Sequence, residues 1–360
     1  MEELFYSVIA GSGRYIPKKI FRNDQFLEHE FFNASGDKIE KTNADIIDKF
    51  RQITEIEERR YAQDRHVTSD IGFYAACDAI ESSGIDPETL DYIIVAHNFG
   101  DVKKHNQRSD MVPTLASRIK HLLGIKNPYT VAYDLPFGCP GWLQAVIQAN
   151  YFLRSGDAKR ALVIGTEILS RVSDPHDIDS MLYSDGAGAT ILEAVKSNHP
   201  VGILSHVTRS DTANHAHLLR MEKSYNPEFG SDVLFLKMNG RKLYEYALNT
   251  VPQVVKDCID KAGVPVSSIK KVLIHQANAK MDDAILLRMF KLYGIENIPV
   301  GIMPMTIAKL GNNSVATVPI LYDMIVKGGM EGHQLSSGDY CVFASVGAGM
   351  NVNAMTYLVP

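Results

Sequence analysis

The sequence predicts an α/β layered fold made of two related halves. Three observations carry this: short apolar runs alternate with longer segments of helical spacing, no low-complexity linker interrupts the alternation, and one helix–turn–strand unit occurs twice. The apolar runs YIIVA (92–96), ALVI (161–164), ATIL (189–192), VLI (272–274) and YCVFA (340–344) are short enough to be buried strands. Residues 142–153 and 315–326 carry apolar residues at helical spacing and read as helices. In the repeated unit, residues 77–97 resemble residues 257–275. Each runs helix, glycine stop, proline-containing turn, polar stretch, apolar strand. Aligning Gly84 with Gly263, an offset of 179 residues, sets Ile80 on Ile259, Leu90 on Ile269, Ile93 on Val272 and Val95 on Ile274. The expected division is therefore residues 1–196 and 197–360, with a site between the halves.

Composition narrows the function classes. Of 360 residues 45% are hydrophobic and 22% charged, with a formal net charge of −5. Apolar content is too high and net charge too small for a disordered chain. Lys+Arg at 37 against Asp+Glu at 42 gives no electrostatic footprint for nucleic acid. No stretch approaches the roughly 20 apolar residues of a membrane span, and the start MEELFYSVIAGSG lacks the basic region of a signal peptide. Cys77, Cys139, Cys258 and Cys341 are too few and scattered for a disulfide framework. A reduced, cytoplasmic protein is expected.

One cysteine stands apart. Cys139 lies in PFGCPGW, turn residues immediately before the apolar periodicity that begins at Trp142. That places its thiol on a tight turn at a helix N-terminus, where free N–H groups and the helix dipole favour a thiolate and lower its pKa. Cys77, Cys258 and Cys341 sit inside helix or strand patterns and read as inert core residues. His275 ends the strand KKVLIH, where α/β folds place their sites, although a lone histidine is more often a satisfied loop residue. Asn312, in KLGNNS, opens a helix and on its own is a good N-cap. In the repeat, however, its helix occupies the place of the Cys139 helix, so thiol and amide would face each other. SDGAGATIL and SVGAGMNVNA contain no full dinucleotide-binding pattern. The second follows YCVFA directly and could lend a backbone N–H to an oxyanion. His215 and His217 lack partners at metal spacing. No metal and no cofactor is expected.

Together these residues resemble a known family, the thiolase-fold condensing enzymes of the 3-oxoacyl-(acyl-carrier-protein) synthase III group. The similarity runs through IAGSGRYIP, ITEIEERRYA, LSRVSDPHD, SDGAGATIL, MNGRKLYEYA, HQAN, LGNNS and the final GAG turn. Cys…HQAN…GNNS in this order is its most specific part. The resemblance implies two pseudo-symmetric βαβαβαββ halves in a five-layered α-β-α-β-α arrangement. It implies a homodimer acting on acyl carrier protein or coenzyme A thioesters. Cys139 would accept the acyl group, His275 and Asn312 would hold the extender's thioester carbonyl, and the N–H groups of Cys139 and Ala348 would form an oxyanion hole.

Several positions depart from the family pattern. Where standard members clamp coenzyme A with tryptophan and arginine, this chain has Lys49 and Ile178. A carrier protein docking on Lys280, Arg288 and Lys291 is then the more plausible donor. The bulky gatekeeper contributed across the dimer corresponds to Val112, and the usual phenylalanine before the last glycine turn is Val346. Both are expected in the acyl pocket, which the smaller Val112 would deepen. Residues 28–43 look like added sequence. A longer or specialised primer is expected, with non-decarboxylative or ring-forming condensation as an alternative. An acyl-thioester hydrolase or a non-catalytic partner subunit are the remote readings.

Overall fold

The computed structural model describes residues 4–230 and 232–360, so the acidic start at residues 1–3 lies outside the described residues. The first half is a sheet of β1 (Leu4–Tyr15), β2 (Tyr92–His97), β3 (Val131–Pro136), β4 (Arg160–Ile168) and β5 (Asp185–Ser197), in the order β1-β5-β4-β2-β3. β5 runs antiparallel to β1 and β4, while β2 runs parallel to β4 and β3. The second half holds β6 (Gly202–Ser210), β7 (Ile269–Ile274), β8 (Tyr340–Gly347) and β9 (Asn351–Leu358), in the order β6-β9-β8-β7. Its pairing directions are those of the first four strands of the other sheet. All five apolar runs read as strands lie within β2, β4, β5, β7 and β8.

The main helices are α1 (Asn43–Thr54), α2 (Thr68–Ser83), α3 (Leu115–Leu122), α4 (Gly141–Ser155), α5 (Gly240–Ala262), α6 (Ala279–Lys291) and α7 (Thr317–Val326). Gly84 and Gly263 end α2 and α5 at φ +66° and +68°, the left-handed cap that glycine adopts without a Cβ penalty. The aligned glycines of the repeat thus do the same job.

Side-chain alternation along the strands builds the layers. Ile94, Val163, Leu273 and Phe343 point inward onto Trp142 and Val146 of α4 and Val318 and Leu321 of α7. Their neighbours Ile93, Val95, Leu162 and Ile164 point outward onto α2 and α3, and Val272, Ile274, Val342 and Ala344 onto α5 and α6. This is the five-layered thiolase fold, with α4 and α7 as its shared middle layer. The first half follows βαβαβαββ; the second is one strand short of it. Residues 299–304 lie where that strand would be. Val272 N–H donates to the Ile302 carbonyl at 2.9 Å and Gln276 Nε2 to the Pro304 carbonyl at 2.9 Å. Pro299 and Pro304 have no N–H to return, so no ladder forms.

Two edges of the sheets face each other. Gly202 of β6 sits so close to β1 that a Cβ there would lie 2.1 Å from the Ser7 carbonyl oxygen. Residues 28–43 lead into α1, and Phe26, Phe31, Ile46 and Phe50 bury against Leu169, Met181 and Leu182, roofing one end of the molecule. Asp101–Lys103 and Asn106–Asp110 form a hairpin whose second strand is exposed throughout. Among the described residues no helix is long and apolar enough to cross a membrane.

Candidate active site

Cys139 stands on the turn immediately before α4, because Pro136, Gly138 and Pro140 end β3 and start the helix abruptly. His275 follows β7, its N–H donating to the Ala344 carbonyl of β8 at 2.9 Å. Asn312 is fixed by backbone bonds to the first half: its N–H donates to the Leu182 carbonyl at 2.9 Å, and its carbonyl accepts from Ser184 N–H at 2.8 Å. All three line one cavity of about 980 Å³, together with Val346 and Ala348.

The glycine turn after β8 lies directly on the cysteine turn. A Cβ on Gly347 would come within 2.7 Å of Cys139 N and 2.9 Å of Cys139 Cβ, and one on Gly138 within 3.1 Å of Ala348 N. The two expected oxyanion-hole donors therefore sit on touching turns. Among the described residues no protein oxygen accepts from either N–H. That leaves both free for a developing oxyanion.

A hydrogen-bond chain that sequence reasoning missed runs up to the thiol. Glu167, buried at the end of β4, accepts from the backbone N–H of Asn98 at 2.9 Å and from its side-chain amide. Asn98 Nδ2 also donates to Ser314 Oγ at 3.0 Å, and Ser314 Oγ donates to Cys139 Sγ at 3.3 Å. Because the serine oxygen accepts from Asn98, its own proton is directed at sulfur. Ser314 N–H also donates to Asn312 Oδ1 at 2.9 Å, which orients the amide. The one signal in the sequence was a glutamate inside the apolar run ALVIGTEI.

Burial sets the protonation states. It pushes the Cys139 thiol up to about 11; the Glu167 charge adds to the rise, and the Ser314 hydrogen bond opposes it. The expected lowering is therefore overturned, because desolvation of the thiolate outweighs the helix N-terminus. Burial likewise pushes His275 down to about 4, so its imidazole is neutral near pH 7 and can offer an N–H without a full charge. Glu167 is raised to about 7, again chiefly by burial.

The remaining expected residues divide. Val346 lines the cavity, as do Lys49 and Ile178. Val112 does not line its own chain's cavity; it is 88% exposed beyond the 101–110 hairpin. Lys280 and Lys291 are exposed on α6, whereas Arg288 donates to the Leu248 carbonyl and Asn249 Oδ1, tying α6 to α5. Cys258 and Cys341 are buried, but Cys77 is exposed, since α2 turns Ala75, Ala76 and Ala79 inward instead. Among the described residues no group of three or more His, Cys, Asp or Glu is placed to hold a metal.

A half-buried thiol that shares one cavity with a histidine and an asparagine in a thiolase fold defines a condensing acyltransferase. Two family models match the chain: "3-Oxoacyl-[acyl-carrier-protein (ACP)] synthase III" over residues 133–212 and its C-terminal counterpart over residues 259–358. A β-ketoacyl-[acyl-carrier-protein] synthase III of Erythrobacter litoralis is 31% identical over 97% of this chain and 98% of its own length. The solved 3-oxoacyl-[acyl-carrier-protein] synthase III of Aquifex aeolicus superposes with a TM-score of 0.78 at 26% identity, covering 98% of this chain and 99% of its own. The priming β-ketosynthase of the R1128 polyketide pathway gives 0.80 at 25% identity, covering 100% of this chain and 98% of its own. The chain belongs to the 3-oxoacyl-[acyl-carrier-protein] synthase III family.

Proposed function

We propose that this enzyme takes a long or otherwise specialised acyl group onto Cys139 and joins it to a malonyl- or 3-oxoacyl-type thioester delivered by an acyl carrier protein. The observation that supports it best is the meeting of Cys139, His275 and Asn312 on one wide cavity. In the first step Sγ attacks the donor's thioester carbonyl, the oxyanion rests on the N–H groups of Cys139 and Ala348, and the carrier thiol leaves with the proton. With a malonyl partner, loss of carbon dioxide then generates an enolate whose oxygen His275 and Asn312 hold. Its carbon attacks the acyl-Cys139 carbonyl. Collapse of that adduct frees the cysteine thiolate, which takes up a proton, and gives a 3-oxoacyl thioester.

Val346 in place of a bulkier side chain, with Lys49 and Ile178 on the cavity lining, favours long chains on a carrier over acetyl-coenzyme A. In a homodimer, Val112 would close the partner's pocket from the tip of its exposed segment. The test is intact-protein mass spectrometry after incubation with a panel of carrier thioesters. Adducts of longer acyl groups on the wild type and none on Cys139→Ala are expected. A preference for acetyl, or an adduct persisting in Cys139→Ala, would refute the reading. Carbon dioxide release in the complete reaction separates decarboxylative from non-decarboxylative condensation.

A further inference from the structure

The segment that pairs with Asn312 carries a second polar feature that the chemistry above does not use. Residues 178–184 run along the cavity wall, and Tyr183 bridges in parallel to Asn312. Asp179 and Tyr183 both line the cavity, among Ile178, Leu182, Leu169 and Leu236. The Tyr183 phenol is buried and finds no hydrogen-bond partner. Among the described residues the Asp179 carboxyl accepts no hydrogen bond either; its backbone N–H donates to Asp177 Oδ1 at 3.0 Å. Buried polar groups are nearly always paired, so the unpaired Tyr183 phenol, with the half-buried Asp179 carboxyl on the same cavity wall, points to a partner that enters the cavity.

The neighbouring charges explain which kind. Lys237 is fully buried, bonded to Asp174 and to Asp177 Oδ2 at 3.0 Å, with its ammonium 3.3 Å from the centre of the Tyr225 ring. Asp174 is further held by Ser224 Oγ and the N–H groups of Tyr225 and His176. One cation thus serves two bonded carboxylates, and the third, Asp179, has none of its own. Burial first, and the Asp177 charge second, push Asp179 up to about 8, against a smaller pull from Lys237. The Tyr183 phenol is an O–H donor, and the upward push favours the protonated, donating form of Asp179. A saturated acyl chain would leave both unmatched, whereas an acceptor oxygen would satisfy them.

We propose that Asp179 and Tyr183 form a polar subsite for an oxygen carried on the acyl chain near its thioester end, so that the group loaded on Cys139 is an oxygenated acyl chain, such as a 3-oxoacyl group. Nearness to the reaction centre follows from the Tyr183–Asn312 pairing and from the cavity wall that both share with Cys139. The inference rests on the acyl-transfer reading above and adds the identity of the acyl group.

The test is a competition. Equal amounts of octanoyl and 3-oxooctanoyl N-acetylcysteamine thioesters compete for Cys139, and the ratio of the two adducts is read by intact mass at early times. Both adducts form by the same chemistry, so the active fraction cancels from the ratio. The wild type should favour the 3-oxo chain by on the order of tenfold, the usual worth of a hydrogen bond that the analogue cannot make. Tyr183→Phe and Asp179→Leu should each bring the ratio toward one, and Asp179→Asn, still a neutral donor, should keep most of the preference. A wild-type ratio at or below one, or the same ratio in Tyr183→Phe and Asp179→Leu, would overturn the subsite while leaving acyl transfer intact. No adduct from either thioester would overturn the acyl-transfer reading, and the subsite with it.

Discussion

Ser314→Ala is the sharpest probe of how the Cys139 thiol is activated. The substitution removes the Oγ–H that reaches Cys139 Sγ at 3.3 Å and that Asn98 orients from the other side. A hydrogen bond to a charged group contributes about 1.5–3 kcal/mol, and sulfur as acceptor places this one at the lower end, about 1.5 kcal/mol. That corresponds to about one pKa unit. The donor stabilises the charged form, so its loss raises a thiol already pushed up to about 11. Below that range the thiolate fraction scales directly with the shift. Alkylation of Cys139 by iodoacetamide at pH 8, followed by mass spectrometry, should therefore slow about tenfold, while thermal unfolding moves little. The two proteins should converge only at pH values above both thiols. An unchanged or faster rate at pH 8 would refute the claim that Ser314 supports the thiolate.

Three other outcomes follow from the same geometry. Asn312→Ala should leave Cys139 acylable yet slow condensation about 10²–10³-fold, the usual cost of removing one oxyanion donor; single-turnover mass kinetics separate the two steps. Gly347→Ala should displace the cysteine turn, because its Cβ would lie 2.7 Å from Cys139 N. Loss of acylation with native circular dichroism is expected, and normal acylation would show that the turn yields. Lys237→Met strands the buried carboxylates of Asp174 and Asp177 and should cost about 3–5 kcal/mol at neutral pH by urea denaturation. Lys237 holds the Asp174 carboxyl below its usual range in the wild type, so protonation at lower pH relieves the variant, and the deficit should shrink as pH falls.

Five of the nine strands of the two main sheets were legible because they are buried on both faces. Runs such as YIIVA and YCVFA cannot be solvent-facing, and their glycine-terminated helices repeat at a fixed offset. The 101–110 hairpin was invisible for the opposite reason: its second strand is polar and exposed throughout. The proline-bearing segment at 299–304 is apolar enough to suggest a strand, but it cannot donate at its prolines. In the sequence, Cys139 was picked out by its turn residues, His275 by its place at the end of a buried strand and in HQAN, and Asn312 by its helix's place in the repeat. Glu167 and Asn98 did not, since they lie 69 residues apart and Asn98 is 216 residues from Ser314. The thiol's protonation state was misread because turn chemistry reveals a helix N-terminus, whereas the depth of burial depends on the other half of the chain.

The missing strand of the second half bears on which sheet edges stay open. β1 and β6 cover each other, and the outer side of β7 is occupied by residues 299–304, whose prolines cannot extend a ladder. β3 is different. It ends the first sheet with no strand beyond it among the described residues, and Val131 at its start is half-exposed. Of the two main sheets, only β3 thus keeps an edge whose N–H and C=O groups no neighbouring strand takes up, while two prolines blunt the corresponding edge of the second half.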